Sequence, residues 1–436
     1  MLKKYLLLIG LALGLTACGN EEEPINEVTT LKLAMFQDNR QVREQVLLFN
    51  ESHTDYQIEI VEYKRSSNAQ EDGVAKLQRE IISGEGPDII DFGTSFSTSD
   101  IVGEYTENLL PYLERESEIQ FFDNILEAFY YEDNLYALPI SFSLDGFAGD
   151  KDVLGQRTKW NIAEMIECYQ KNADSRILYP GETKKAVLGN ILYGCSDYYI
   201  DWEQGSCSFD EEEFRQVLEF ANLFPATLNL DEGFSAKQMI EDGETLLYSV
   251  SISGIYDICK SEFLFDGNEV YIGYPIEDNV QSGTMAKICG SMMGISISSE
   301  HKDVAWEFIA GFLEVDYQMQ IDWGLPINKT AFMSLLEENR EPEYELNAEG
   351  EEVTVVKGQL LFDGEEPVNF YCISQAQGDK LLELIDGVEL CNATNTQLHS
   401  ILLEEVSAYF EGDKTVEETM EAMQSRATIF VSERVK

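Results

Sequence analysis

Apolar residues in the first quarter of the chain follow two different periodicities. Short apolar runs at 31–36, 56–64 and 87–92 have the length and spacing of β-strands. The segments between them, 41–52 and 71–84, repeat apolar residues every three or four positions, which predicts amphipathic helices. The order strand, helix, strand, helix, strand predicts a parallel sheet with right-handed crossovers.

The stretch "ISGEGPDIIDFG" (82–93) marks the end of the second helix and the start of the third strand. Its glycines and Pro87 stop a helix, and proline is tolerated where a strand begins. Ligands of open parallel sheets bind beyond the carboxyl ends of the strands. The loop at 36–39 and the residues Asp91 and Phe92 follow two strands at that edge, so we expect them on the rim of a site and not in the core.

Helix signals recur in the second half of the chain. Asp210 and Thr415 are each followed three residues later by a glutamate, which predicts the N-caps of two helices. Another helix is expected to end near Gly412. The segment around Asn347–Gly350 separates two short strand-like runs and predicts a surface hairpin.

Length and charge limit the classes of function. A chain of 436 residues exceeds one compact core, so two or three domains are expected. The 30 basic and 81 acidic residues give a net charge of −51, which repels phosphate backbones and makes nucleic acid an unexpected partner. The charge indicates either a well-solvated surface or an attraction for cationic ligands.

The N-terminus has the features of an export signal. Lys3 and Lys4 precede an apolar run at 5–15 that is too short to span a membrane. The ending "LTAC" resembles a bacterial lipobox, which implies a signal peptide at 1–17 and lipidation of Cys18. The alternative is a chance cysteine after an ordinary signal peptide. With lipidation, residues 18–30 form a tether and the body of the protein lies in water outside the membrane.

Cysteine and histidine do not predict a metal site or a cofactor. The seven remaining cysteines form no CxxC pair, and an odd number cannot all pair within the chain. Cys195 and Cys207 could form a disulfide, whereas most of the others are expected to be buried thiols. The three histidines lie far apart in sequence and lack the spacing of zinc ligands.

Several segments together resemble a known family. They occur in the chain as "SGEGPDIIDFG", "NLYALPISFSLDGFAGDKDVLG", "YYIDWEQGSCSFDEEEFRQVLEF", "GISISSEHKDVAWEFIAGFLEVDYQMQ" and "GLPINKTAF". Their order is similar to that in family 1 extracellular solute-binding proteins of ABC importers, the group that includes maltose-binding protein. The resemblance covers nearly the whole chain and is weakest at 334–386.

The resemblance implies an α/β, periplasmic-binding-protein-like fold of type II, in which two α/β lobes enclose a ligand cleft. Lobe 1 would comprise 31–139 plus 286–320, and lobe 2 would comprise 140–285 plus 321–436. The segments "LYALPIS" and "AKICGSMMG" would cross between the lobes. The implied protein is a monomer with a carbohydrate ligand and ABC transporter permease subunits as partners.

The resemblance also implies a set of ligand-binding residues. A sugar has apolar C–H faces and a ring of hydroxyls, so a site needs flat aromatic platforms and oriented polar groups. The implied residues are Phe36, Gln37, Asp38, Asp91, Phe92, Ser141, Phe142, Ser143, Asp145, Asn190, Tyr193, Tyr199, Tyr256 and Trp323. Among them, Phe36, Phe92 and Trp323 are expected to line one shared crevice.

The chain departs from the family pattern at two of these positions. A carboxylate often found near Ser143 is absent, and Tyr256 stands where members often carry tryptophan. Structural alternatives exist for Tyr193 and Tyr199, which could seal a core, and for Asp38 and Asp91, which could cap loops. Trp160 and Trp306 are expected to be packing residues.

The rival interpretations are an enzyme and a binding protein for another solute. The chain contains no nucleophile elbow, phosphate-binding glycine loop or calcium loop, and Ser299-x-x-Lys302 lacks the motifs that accompany it in β-lactamases. Carboxylate pairs are too common in this sequence to indicate a glycosidase. A peptide, a polyamine or a phosphorylated compound is the alternative solute, although the aromatic loops favour a neutral oligosaccharide. We therefore expect a non-enzymatic protein that captures sugar by hinge closure and delivers it to a permease.

Overall fold

The fold was analysed in a computed structural model. The structure describes residues 28–63, 73–94, 105–131, 133–202, 204–228, 235–276, 279–361, 366–391 and 395–433. The predicted signal peptide, Cys18 and most of the tether lie outside these residues. In the described ranges, no helix has both the length and the apolar character needed to cross a bilayer.

The described residues form short and long strands interleaved with helices. The strands are β1 (Thr29–Met35), β2 (Tyr56–Glu62), β3 (Ile89–Asp91), β4 (Leu138–Asp150), β5 (Ile200–Asp201), β6 (Ser206–Cys207), β7 (Tyr248–Ile252), β8 (Glu269–Tyr271), β9 (Met285–Ile295), β10 (Leu325–Pro326), β11 (Tyr344–Leu346), β12 (Glu352–Thr354), β13 (Gly358–Leu360) and β14 (Val368–Phe370). The α-helices are α1 (Arg40–Ser52), α2 (Gly73–Ser83), α3 (Leu110–Leu113), α4 (Asp123–Ala128), α5 (Lys151–Leu154), α6 (Ile162–Asn172), α7 (Lys184–Cys195), α8 (Glu212–Ala221), α9 (Ala236–Glu241), α10 (Asp257–Leu264), α11 (Lys302–Ala310), α12 (Val315–Gln318), α13 (Lys329–Glu338), α14 (Gln375–Asp386), α15 (Thr396–Glu405), α16 (Ser407–Glu411) and α17 (Val416–Ser432).

The N-terminal β-α-β-α-β unit has the predicted topology. In β1, Leu33 pairs in parallel with Ile60 of β2 on one side and with Ile89 of β3 on the other. Helix α1 starts where the Asn39 side chain accepts hydrogen bonds from the first free backbone N–H groups. The prediction of a parallel sheet is therefore confirmed.

Two long antiparallel strands dominate the main sheet. Its order is β10-β4-β9-β3-β1-β2, and β7 and β8 also pair with β4. Strand β4 pairs with β9 from Leu138 to Asp145, and β9 pairs in turn with β3. These are the two segments that the sequence predicts to cross between lobes.

The buried apolar residues form two clusters. The first packs around β1, β2 and β3 and includes apolar residues between 325 and 388. The second packs around α6, α7 and α8 and includes apolar residues between 398 and 431 of the C-terminal helices. The predicted segment 321–436 of lobe 2 therefore contributes to both clusters, and the lobe boundaries remain a prediction.

Some local predictions hold and others do not. Thr415 caps α17 in a capping box, Gly412 ends α16 with a φ of 84°, and a hairpin surrounds Asn347–Gly350, all as predicted. The prediction for Asp210 is wrong: α8 begins at Glu212, and its N-cap is Glu211, whose side chain makes no capping bond.

The disulfide considered between Cys195 and Cys207 does not form. No disulfide joins any of the seven cysteines in the described part of the chain. The Cys195 thiol instead donates to the carbonyl of Pro275 at 2.8 Å inside the second cluster. This cysteine thus behaves as a buried small side chain. Only Cys168 and Cys259 are buried in the same way and the other four are partly exposed, so the expectation that most of the seven are buried is wrong.

Gly283 provides a test of backbone packing in the second cluster. A Cβ added there would lie 2.2 Å from the carbonyl oxygen of Tyr274, a backbone atom that cannot rotate away. We expect Gly283→Ala to lower the free energy of unfolding by about 2 kcal/mol or more. Urea denaturation followed by circular dichroism measures this.

The matched control is Gly311→Ala. A Cβ at Gly311 meets no atom within 4 Å, and its φ of −56° suits any residue. Its stability should stay unchanged or rise by up to about 1 kcal/mol. Equal effects at both positions would contradict the close backbone approach at Gly283.

Candidate ligand-binding cleft

A cleft with a volume of about 570 Å³ opens at the carboxyl ends of β1 and β3. Its walls come from the loops at 37–41 and 91–94, the central residues of β4 and β9, the end of β7 and the segment 317–323. The position agrees with the predicted binding edge of the parallel strands.

The alternation of side chains along β4 decides which residues face the cleft. Ser141 and Ser143 line it, whereas Phe142 between them is fully buried and packs against Phe122 with ring centroids 6.2 Å apart. Successive side chains of a regular strand point to opposite faces, so the side chain of Phe142 points away from the cleft that Ser141 and Ser143 line. The structure therefore places Phe142 in the core, contrary to its predicted ligand contact.

A polar network lies beneath this face of the sheet. The buried carboxylate of Asp145 accepts hydrogen bonds from the Tyr193 hydroxyl at 3.1 Å and the Ser251 hydroxyl at 2.8 Å. Its Oδ2 also lies 3.2 Å from the Nζ of Lys287. Burial and the charge of Asp145 raise the pKa of Tyr193, which therefore remains a neutral donor.

Asp91 is a buried carboxylate that lines the cleft itself. Only 1% of its surface is exposed, and it accepts hydrogen bonds of 3.0 Å from the Gly93 N–H and from the Ser291 hydroxyl. Burial raises the pKa of Asp91 to about 6, although the hydrogen bonds oppose the shift. Among the described residues, no basic side chain forms an ion pair with this carboxylate.

Trp323 stands at the mouth of the cleft. Its side chain is 69% exposed, and its backbone carbonyl accepts a hydrogen bond of 2.9 Å from Ser141. Gly324 follows with a φ of 98°, and a Cβ there would lie 2.6 Å from the Ser141 oxygen. Only glycine allows the chain to turn this closely against β4, and the turn presents the indole to solvent.

Polar contacts join the segment before Trp323 to α1. Arg40 forms an ion pair of 2.7 Å with Asp322 at the cleft wall. The Gln41 side chain donates to the Gln320 carbonyl at 2.8 Å and accepts from the Asp322 N–H at 3.1 Å. These bonds hold the segment beside the start of α1.

Tyr317 is a cleft aromatic that the sequence analysis missed. It lines the cleft and packs edge-on against Phe312, with centroids 5.0 Å apart. Burial raises the pKa of its hydroxyl, and the charges of Asp91 and Asp322 add to the shift. The sequence signal that could have identified Tyr317 is its position shortly before the segment "IDWGLP", which contains the predicted binding residue Trp323.

The cleft gathers part of the predicted set. Those that line it are Gln37, Asp38, Asp91, Ser141, Ser143 and Trp323. Asp145 and Tyr193 belong to the network below. The cleft residues that the prediction missed include Arg40, Ser251, Ser253, Lys287, Ser291 and Tyr317.

Two predicted aromatic platforms lie away from the cleft surface. Phe92 is 1% exposed and belongs to the first core cluster, and not to the rim as expected. Phe36 packs against Tyr63 with centroids 5.7 Å apart. The shared crevice expected for Phe36, Phe92 and Trp323 is therefore not observed. Phe92 comes directly after the short buried strand β3, and its ring therefore lies in the core.

Three more predicted residues lie elsewhere in the fold. Tyr199 is buried beside Phe209 and Phe214, so its core-sealing alternative describes its position. Asn190 borders a small apolar pocket in the second cluster. The hydroxyl of Tyr256 donates to Asn339 at 2.6 Å.

No metal site is evident in the described parts of the chain. They contain no group of three or more His, Cys, Asp or Glu side chains placed to hold an ion. The cleft itself offers hydroxyls, carboxylates, two cations and two aromatic rings, which suits hydrogen bonding and stacking with a small polar molecule.

The raised pKa of Asp91 predicts how the stability of the folded protein depends on pH. Its pKa in the folded protein lies above the ordinary value of 3.8, so the folded state binds the proton more tightly than the unfolded state. Protonation of Asp91 therefore stabilises the folded state at low pH, and this stabilisation is lost as pH rises through about 6. From about pH 4 to about pH 7, wild type should therefore lose up to about 3 kcal/mol relative to Asp91→Asn.

Urea denaturation of both proteins across this pH range measures the difference. The exposed Asp303, substituted by asparagine, is the control for removal of one negative charge, since solvent screens it. Parallel pH profiles for wild type and Asp91→Asn would show that Asp91 has no raised pKa.

Comparison with known proteins places the chain in a family. The model of the family described as bacterial extracellular solute-binding protein matches residues 46–331. No match to the sequence was found among curated proteins.

Solved structures share the fold. The sugar-binding protein MalE of Xanthomonas citri has a TM-score of 0.55 at 14% identity, covering 93% of this chain and 98% of that one. An oligogalacturonide-binding protein of Yersinia enterocolitica has a TM-score of 0.55 at 16% identity, covering 94% of this chain and all of that one. An extracellular solute-binding protein family 1 member of Alicyclobacillus acidocaldarius has a TM-score of 0.54 at 12% identity over 93% of this chain and 99% of that one.

These likenesses confirm the α/β, periplasmic-binding-protein-like fold expected from the sequence. The family model covers well over half of the 436 residues. The chain belongs to the family of bacterial extracellular solute-binding proteins.

Proposed function

We propose that the protein is the substrate-binding component of an ABC importer and that it binds a sugar or oligosaccharide. One observation carries the proposal: the cleft is lined by two aromatic side chains, Tyr317 and Trp323, together with serine hydroxyls and carboxylates. An aromatic face stacks on the C–H face of a pyranose, while hydroxyls and carboxylates bind its hydroxyl groups.

The names of the structural neighbours support a carbohydrate ligand. The Xanthomonas citri protein is described as sugar-binding, and the Yersinia enterocolitica protein as oligogalacturonide-binding. The cleft volume of about 570 Å³ lies in the range of small-molecule sites. Binding here requires no covalent step, so we propose a carrier and not an enzyme.

Capture would occur by closure of the lobes around the cleft. The crossing strands β4 and β9 carry both core-facing and cleft-facing side chains, so a small change in their twist would move one wall against the other. The closed monomer would dock on a membrane permease. Lipidation of Cys18 would hold the protein at the outer face of the membrane.

A cationic solute such as a polyamine is the second candidate, and a peptide is a weaker one. The net charge of −51 favours a cation, and Asp91 has no basic partner among the described residues. The other cleft aspartates are already paired: Asp38 contacts Arg43 at 2.6 Å, and Asp322 contacts Arg40. This pairing leaves little free negative charge for a polycation.

A ligand panel tests the proposal. We expect at least one glycan among maltotriose, cellotriose, xylotriose, mannotriose and trigalacturonate to raise the melting temperature and change the tryptophan fluorescence, because Trp323 lies at the cleft mouth. Amino acids, a tripeptide and spermidine should have no effect. Stabilisation by spermidine with no response to any glycan would overturn the sugar assignment.

The role of Trp323 can be measured directly. Removal of its ring by Trp323→Ala should weaken glycan binding about 10- to 100-fold, since stacking area is lost. Isothermal titration calorimetry gives the affinity. Tyr344→Ala removes an exposed aromatic of β11 outside the cleft lining and should leave affinity unchanged. Equal affinities for wild type and Trp323→Ala would exclude the indole as a platform.

A further inference from the structure

Lys287 presents an ammonium group to the cleft. Its side chain is 48% exposed, it lines the cleft, and its Nζ lies 3.2 Å from the Asp145 carboxylate. An ammonium has three N–H donors. The contact with Asp145 uses one of them and leaves two for a molecule in the cleft.

Asp145 is held in place by two further donors. The Tyr193 hydroxyl reaches it from α7, and the Ser251 hydroxyl reaches it from the neighbouring strand β7. The Tyr193 ring packs in turn against Tyr274, with centroids 5.2 Å apart. The carboxylate on β4 is therefore fixed by side chains from two other elements, and its orientation sets the position of the Lys287 ammonium.

Ser143 adds a second polar group beside the ammonium. It is the direct β4 partner of Lys287 on β9, so both side chains lie on the same face of the sheet. The Ser143 hydroxyl borders the cleft, and no described residue forms a side-chain hydrogen bond with it. A ligand oxygen placed here could accept from the ammonium and from this hydroxyl.

A purely structural ion pair explains this arrangement less well. A half-exposed pair contributes little to stability, typically about 0–1 kcal/mol. Yet the carboxylate of this pair is buried and has two dedicated hydroxyl donors. Burying this carboxylate costs desolvation free energy that the ion pair alone does not offset. The network is better explained by a role in orienting the exposed ammonium group of Lys287.

We propose that Lys287 donates hydrogen bonds to a hydroxyl oxygen of an uncharged glycan, an inference that rests on the proposed sugar-binding function. Tyr193 is then a positioning residue that acts through Asp145. The ligand oxygen is uncharged because Asp145 already offsets the ammonium charge. The net charge of −51 also repels an anionic ligand from the cleft.

Calorimetric titration of the full chain with maltotriose, cellotriose, xylotriose, mannotriose and trigalacturonate tests the donor. Lys287→Met should weaken the binding of a neutral trisaccharide about 10- to 100-fold, the loss expected for a hydrogen bond from a charged group. Lys287→Arg keeps charge and donors and should recover part of the affinity. Lys302→Met removes a lysine similarly paired with Glu107 away from the cleft and should change nothing.

A double-mutant cycle tests the positioning role of Tyr193. Tyr193→Phe keeps the ring but removes the hydroxyl, and it should weaken neutral glycan binding about three- to tenfold in the wild-type background. In the Lys287→Met background it should have no further effect, because the group that it positions is gone. The same loss in both backgrounds would show a general structural role and overturn the positioning role.

The outcomes separate this inference from the proposed function. Neutral glycan binding that is undiminished in both Lys287 variants would overturn the donor role and leave sugar binding intact. Tightest binding of trigalacturonate, lost in Lys287→Met, would overturn the uncharged class. Binding of no saccharide by folded wild-type protein would overturn both the proposed function and the inference.

Discussion

The antiparallel pairing of β4 with β9 is the constraint on which the rest of the structure depends. Side chains alternate along both strands, so one face carries Ser141, Ser143 and Asp145 while the other carries apolar residues such as Phe142. The same strands that bury the core on one side therefore build the polar floor of the cleft on the other. A shift of register by one residue would reverse the faces and would eliminate both the core and the site. This coupling explains why the cleft lies where the strands cross between the two apolar clusters.

Two buried carboxylates, Asp91 in the cleft lining and Asp145 in the network below it, are stabilised in different ways. Asp145 has a cation at 3.2 Å and two hydroxyl donors, so its charge is compensated within the protein. Asp91 has hydrogen bonds but no cationic partner among the described residues, and its raised pKa expresses the cost of keeping it ionised. A buried carboxylate without a cationic partner is stabilised by any additional hydrogen-bond donor. Under the proposed function, a ligand hydroxyl would supply Asp91 with such a donor.

Much of the fold could be predicted from the sequence, but less of the site could be. Strands and helices follow from local periodicity, which is why β1, β2, β3 and the cap at Thr415 agree with expectation. The site depends on where side chains point after the chain folds. Phe92 follows a buried strand that continues inward, so its ring enters the core. The alternation of β4 could have excluded Phe142 from the cleft, since Ser141 and Ser143 flank it. Lys287 faces the cleft through its long-range pairing with Ser143 of β4, which no local pattern reveals.

The aromatic rings of the cleft fit capture by closure better than a rigid pocket. Trp323 is 69% exposed and is held by its backbone, through Ser141 and the turn at Gly324, and not by its ring. Tyr317 is fixed by its packing on Phe312. The Tyr317 ring is thus packed against the protein, while the Trp323 ring extends from an anchored turn into solvent. In the proposed closure, the exposed indole of Trp323 would bury its apolar surface against a bound sugar. In the proposed capture mechanism, the free energy of burying that surface would be gained in the closed state alone, and this difference in affinity between the two states would drive closure.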